Sequence, residues 1–349
     1  MGGDSKRDTP GNRVRWRVEF AAVKTLAFLL AGLAHPLRLH LGRALGRLAF
    51  CVDRRHARVA LANVRAAYPD AAASWHRRTA RESFAHLGRL LVELLVQDRL
   101  LPRLPRLLEI HGLDRLRRVG GTGRGYFLLS GHFGSWEWVA LHQATLGFPL
   151  WMITRPLDNP HLEELLAARR RATGNRVVHK RNAAREMVKA IKHGFGVAIV
   201  IDQDFLSPGA HFVPFFGRLA ATTPTLGTLA CRLGVPVLPV FSYPLPGGRY
   251  RVEYEEPIVP PADQDREAAA RQVTLQATAR IEAAIRRHPS AWFWMHNRWR
   301  TRPPEELEAV GHLVQLPAEL LAELLQVAGE PVFVPGFAVL HHHFRKRAG

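Results

Sequence analysis

The sequence predicts an α/β protein, with a mainly parallel mixed sheet flanked by helices and an all-helical layer ahead of it. Three observations predict this. After Arg106, short apolar runs alternate with amphipathic segments, as in a parallel sheet whose crossovers are helices. Between Arg54 and Leu101 the apolar residues instead recur every third or fourth position, the helical period. The chain of 349 residues, 47% of them apolar, is large enough for one large domain, or one large and one small, with a sizeable core.

Taken in order, residues 1–17 read as a disordered basic leader. Residues 18–50 read as a membrane-anchoring or interfacial helix region. They hold the apolar run Phe20–Ala34, "FAAVKTLAFLLAGLA", broken only by Lys24 and Thr25. The run counts 15 residues, short of the roughly 20 that span a bilayer core. It fits an uncleaved anchor or in-plane helix, a core helix, or a signal peptide cut after Gly32-x-Ala34. Arg13, Arg15 and Arg17 precede it and Arg38, Arg43 and Arg47 follow, so charge does not fix an orientation.

Residues 51–304 read as the α/β domain. In "VALANVRAAYP", Val59, Ala62, Val64 and Ala66 lie near one face and Pro69 ends the helix. In "RESFAHLGRLLVELL", Phe84, Leu87, Leu91 and Leu94 do the same. The strands expected next are "YFLLS", "LWMIT", "RVVH", "VAIVI", "VPVLPVF" and "YRVEYEEP". Helices are expected at 135–147, 159–173, 182–193, 223–233 and 264–287. Thr222, Thr223 and Pro224 read as a helix start, and Asp158 and Asn159 as a turn before Pro160. Residues 305–349 are a C-terminal extension, with a leucine-striped helix opening at Pro317 and a basic tail, "HHHFRKR".

Lys and Arg outnumber Asp and Glu by 49 to 30, a formal net charge of +19. That excess suits nucleic acid, an anionic membrane face or phosphorylated lipid. No helix-turn-helix, zinc-finger or RNP pattern supports nucleic acid. The two cysteines, Cys51 and Cys231, lie too far apart in sequence for a metal-spaced pair and disfavour a disulfide framework.

The chemistry concentrates at "YFLLSGHFGSWEW", Tyr126–Trp138. Open parallel sheets keep their sites in loops at the carboxyl ends of strands. His132 falls on such a loop and Glu137 in the first turns of the next helix. Five residues of regular helix would turn the two side chains about 140° apart, so they meet only if the histidine stays on the loop. A carboxylate on one ring nitrogen fixes the tautomer and raises the basicity of the other. The free nitrogen can then take a proton from an incoming hydroxyl, as acyl transfer requires. There is no HExxH zinc-protease signature.

"FLLSGHFGSWEW" resembles the HX4(D/E) motif of the lipid A biosynthesis acyltransferases, the lauroyl and myristoyl transferases related to the glycerolipid acyltransferases. Further segments are similar in the same order: "TRPLDNPHLEELLAARR", "GVAIVIDQDF", "HFVPFFGRLAATTPTLGTLACRLGVPVLPVF" and "WFWMHNRWRTRPP". The resemblance covers roughly residues 15–304. It implies a glycerolipid-acyltransferase-like fold and a membrane-associated O-acyltransferase at the cytoplasmic face of the inner membrane. It implies His132 as general base, Glu137 as its orienting acid and Arg155 near the reacting centre. Asp202 and Gln203 would shape the same cleft. The donor would be a fatty acyl thioester of acyl carrier protein or coenzyme A, and the acceptor a hydroxyl on a phosphorylated lipid A precursor. No metal or redox cofactor is implied.

Other substrate-binding candidates rest on composition. Phe215, Phe216 and Arg218, in "FFGR", fit an acyl channel or a core. Arg298, with Arg300 and Arg302 about Trp299, fits a headgroup patch or a solvated edge strand. Two other functions remain open at this stage. One is acylation of another anionic glycolipid, such as a phosphatidylinositol mannoside; the other is a non-enzymatic protein that uses its basic surface to bind membrane or nucleic acid.

Overall fold

Helices come first. In the computed structural model, α1 spans Pro10–Gly32, α2 His35–Val52, α3 Arg54–Ala67 and α4 Ala73–Leu95. The structure describes residues 10–179, 183–207, 209–262, 265–303 and 306. The leader expected at 1–17 is already helical from Pro10, since proline fits the first turn of a helix. Trp16 of this segment is buried, and its carbonyl accepts a hydrogen bond from Asn159 Nδ2 at 2.9 Å.

The inward faces of α3 and α4 match the expected ones in part. Helix α3 buries Ala57, Ala60 and Ala67 beside the expected Val64; on α4 the expected Phe84 is buried, but Leu91 is exposed. The reason is the contact between α2 and α4, which runs through small residues. A β-carbon at Gly46 would stand 2.1 Å from the Phe84 carbonyl oxygen, and one at Gly88 2.2 Å from that of Gly42. Backbone-to-backbone approach of this kind selects glycine and rotates the larger leucines outward.

Two single turns, α5 (Gln97–Leu100) and α6 (Leu104–Leu107), lead into β1 (Leu108–His111) and α7 (Leu113–Gly120). The alternating pattern then unfolds as β2 (Tyr126–Ser130), α8 (Trp136–Thr145), β3 (Leu150–Thr154), α9 (Pro160–Arg171), β4 (Arg176–His179), α10 (Ala183–Lys192) and β5 (Gly196–Val200). A hairpin follows, β6 (His211–Phe215) and β7 (Arg218–Thr222), and then α11 (Thr225–Leu233), β8 (Val237–Pro244), β9 (Tyr250–Tyr254) and α12 (Arg266–Arg287).

The main sheet has seven strands in the order β1-β9-β8-β2-β5-β3-β4. It is parallel except where β9 runs antiparallel to β8. Its two faces belong to two cores: Phe127, Leu129 and Val197 pack into one, Tyr126, Leu128, Leu150 and Met152 into the other. Sequence reading missed β1 and the hairpin. Four residues of β1 carry too little periodicity, and Pro214 in β6 is an edge-strand residue. Asn159, expected in a turn, caps α9, its Oδ1 accepting from the His161 and Leu162 amides.

The described residues through Thr301 belong to one compact unit, and a second runs from Arg302 to Gly349. The helix expected from Pro317 and the basic tail lie outside the described residues.

Candidate active site

Strand register builds the site. Strands β2 and β5 are paired in parallel with Ser130 opposite Val200. Two residues past each of these partners stand His132 and Asp202, so the register brings together side chains 70 positions apart. His132 Nδ1 lies 2.8 Å from Asp202 Oδ1, and the His132 amide donates to Asp202 Oδ2 at 2.6 Å. Trp292 Nε1 donates to the same oxygen at 2.8 Å. The carboxylate is wholly buried, whereas the imidazole keeps 22% of its surface exposed.

The loop that carries His132 is shaped by its glycines. Gly134 has φ +58, and a β-carbon there would lie 1.7 Å from the Ser242 carbonyl oxygen. The Gly134 carbonyl accepts from His86 on α4 at 3.1 Å, which requires the neutral imidazole of His86 to donate from Nε2. The segment after α12 closes over the loop: Gly134 N donates to Ala291 O at 2.9 Å and Phe293 N to His132 O at 3.0 Å.

Burial by itself would lower the His132 pKa. The Asp202 charge and hydrogen bond, with a further contribution from Glu137, outweigh it and hold the imidazole above its ordinary value. For Asp202 burial pushes upward, but the His132 charge and hydrogen bond, His296 and the Trp292 donor hold the carboxyl well below the usual carboxylate range. Such a pair fixes the proton on Nδ1 and turns Nε2 toward whatever occupies the cleft.

Glu137 was expected to be the orienting acid. The structure instead brings it to Arg170 on α9, whose Nε and Nη2 reach its two oxygens at 3.1 and 2.5 Å. The acid that touches the ring is Asp202. Glu137 lies in the first turn of α8, where Arg170 of α9 takes up both its oxygens. Glu137 acts on His132 through its charge alone.

His132 opens onto a cavity of about 960 Å³ at the carboxyl ends of β2, β3 and β5. Arg155, Gln203, Glu137 and Arg170 line it, as does Arg185, which sequence reading had not singled out. Gln203 Nε2 comes within 3.5 Å of His132 Nε2, too long for a strong hydrogen bond. Apolar side chains line much of the rest, among them Leu128, Val139, Met152 and Leu166, with Ser130, Thr154, Glu163 and Asp204 beside them.

Four of the expected substrate-binding residues are placed elsewhere. Phe215 and Phe216 do not line this cavity; they belong to an aromatic core with Trp292, Trp294 and Tyr68. Phe216 sits at φ +53 before Gly217 at φ +74, making the tight turn between β6 and β7. Arg218 is exposed on β7 beside the Trp299 ring, also outside the cavity. Arg298 is not on a surface patch or edge strand. It is fully buried, donating to the carbonyls of Gln203 (3.0 Å) and Ala221 (2.7 Å) and to Thr222 Oγ1 (2.6 Å). Burial pushes its pKa down to about 10. It therefore braces the Asp202–Gln203 segment from behind. Trp292, Arg170 and His296 (Nε2 2.9 Å from the Asp202 carbonyl) were missed. A one-dimensional motif has no signal for partners that a loop and a sheet bring together.

Residues 11–301 match the family model of the bacterial lipid A biosynthesis acyltransferases. The chain belongs to this family. Among its relatives is the lipid A biosynthesis lauroyltransferase of Escherichia coli K12, 29% identical over 282 residues, covering 79% of this chain and 89% of that one. The lipid A biosynthesis palmitoleoyltransferase of the same strain is 29% identical over 289 residues, 80% and 90% of the two chains. Its lipid A biosynthesis myristoyltransferase is 23% identical over 296 residues, 82% and 87%. The lipid A acyltransferase family makes this chain an O-acyltransferase of lipopolysaccharide biosynthesis, which sets aside the reading as a non-enzymatic basic binding protein.

Proposed function

We propose that this acyltransferase moves a fatty acyl group from an acyl thioester to a hydroxyl of a phosphorylated lipid A precursor, with His132 as general base and Asp202 as the acid that positions it. The observation that carries the reading is the His132–Asp202 pair, whose imidazole lines a largely apolar cavity. The acceptor hydroxyl gives its proton to His132 Nε2 as its oxygen attacks the thioester carbonyl carbon. The buried Asp202 carboxylate stabilises the imidazolium that forms. When the tetrahedral intermediate collapses, the carbon–sulfur bond breaks and the imidazolium returns the proton to the departing thiolate. Arg155, which lines the cavity, is the cation we assign to the developing oxyanion or to an acceptor phosphate. No step of this route needs a metal or a redox group.

The donor is proposed as the thioester of acyl carrier protein, or of coenzyme A. The formal charge of +19 favours both an acidic carrier and lipid phosphates. Membrane attachment through α1 and α2, at the cytoplasmic face of the inner membrane, is part of the same proposal. Among the described residues no helix is long and apolar enough to cross a membrane. Helix α2 does present Leu37, Leu41, Leu45, Leu48 and Val52 as an exposed stripe, with Val14, Val18, Phe28 and Leu29 exposed on α1. Exposed apolar surface of this extent supports a helix lying in the interface.

His132→Ala is the direct test. Transfer should fall by about 10²–10⁴-fold while binding of the lipid acceptor persists. Mass spectrometry of the lipid A fraction from a strain lacking the gene should show one acyl chain missing. An unchanged lipid A, or an active His132→Ala enzyme, would refute the reading.

A further inference from the structure

The cavity has a floor, and it is written in the register of the sheet. On the face of the sheet that α8 covers, β5 presents Gly196, Ala198 and Val200. The first two stand between larger partners: Gly196 between Tyr126 and Leu150, Ala198 between Leu128 and Met152. A small residue between two large ones makes a groove along β5. Both Ala198 and Val200 line the cavity, and Val200, past the last pair with β3, is 38% exposed. The groove stops short of Gly196, which does not line the cavity. There the Tyr126 ring and Leu150 Cδ2 close over the bare backbone, each 2.7 Å from where a β-carbon would be. Tyr126 is held in place by Gln143, whose Nε2 donates to its hydroxyl at 2.9 Å.

We propose that Ala198 and the Tyr126–Leu150 floor set the length of the acyl chain that the enzyme transfers. This rests on the acyl-thioester reading above and adds which residues choose the donor. From Val200 to Gly196 the strand rises four residues at about 3.3 Å each, or about 13 Å. An extended chain advances about 1.2 Å per bond, so the groove accommodates a straight chain of at most about a dozen carbons. Any longer chain meets the Tyr126 ring. A larger side chain at Ala198 would end the groove one rung earlier, about 6 Å nearer His132.

The test compares octanoyl, lauroyl and palmitoyl thioesters as donors to a lipid A precursor, at equal concentration, with the full chain. Wild type should prefer lauroyl. Ala198→Leu should shift the octanoyl-to-lauroyl ratio of kcat/KM upward by about tenfold or more, as expected when methylenes lose their pocket. Leu150→Ala opens the floor and should raise the palmitoyl-to-lauroyl ratio by a similar factor. Ala198→Val, a smaller change, serves if Ala198→Leu does not fold, with thermal melting as the control. Opposite shifts from the two sites, with octanoyl transfer retained, support the proposal. Folded variants with the wild-type preference overturn it and leave the acyltransferase reading standing. No transfer of any donor by wild type overturns both.

Discussion

At the scale of the residue, the site turns on which acid touches the imidazole. His132 must be neutral to accept a proton, and its pKa is raised above the ordinary 6.5. The acid limb of kcat/KM should therefore have its midpoint above 6.5, with activity rising as pH rises through it. Asp202→Asn removes the contacting charge, so the midpoint should move down and the rate at the plateau should fall by about 10²–10⁴-fold. Glu137→Gln should move the midpoint less, because its carboxylate reaches His132 only through space while it engages Arg170. A pH–rate profile of the three proteins decides the matter. A larger shift from Glu137→Gln than from Asp202→Asn would contradict the geometry.

At the scale of the element, the crossing of α2 and α4 is the most demanding contact in the helical layer. Gly42, Gly46 and Gly88 let the two backbones touch. A methyl group at Gly46 must displace the Phe84 carbonyl, so Gly46→Ala should destabilise the protein by about 1–3 kcal/mol, read as a lower midpoint in urea denaturation. Helix α4 also carries His86, which holds the catalytic loop at Gly134, so loosening this crossing should reduce activity as well as stability. The motif reading of α4 found the helix and placed Phe84 inward, but it also placed Leu91 inward, which is exposed. It weighted Leu87, Leu91 and Leu94 by hydrophobicity, whereas the helix packs by size.

At the scale of the whole molecule, the cavity opens at the carboxyl edge of the sheet, while the exposed leucine stripe of α2 and the apolar positions of α1 offer a second, separate apolar surface. Such a surface, with Arg13, Arg17 and Lys24 in the same segment, suits an anionic bilayer. Leu45→Glu with Leu48→Glu should reduce sedimentation with anionic vesicles by about tenfold or more. Added salt should weaken what remains. Neither change touches the site, so transfer to a detergent-dispersed acceptor should be unaffected. Vesicle binding that survives both substitutions would place the membrane surface elsewhere.

The sequence by itself determined the α/β class, the helical layer, the position of His132 at a strand end and the family, because these depend on local period and on residues a few positions apart. Only the tertiary structure decided that Asp202, and not Glu137, meets the ring. It also decided that Phe215, Phe216 and Arg298 are internal braces and that the groove ends at Tyr126 and Leu150. The meeting of His132 with Asp202 and the end of the groove rest on the parallel register of β2, β5 and β3. That register joins residues 70 positions apart through hydrogen bonds between backbones, which carry no mark in the amino-acid pattern.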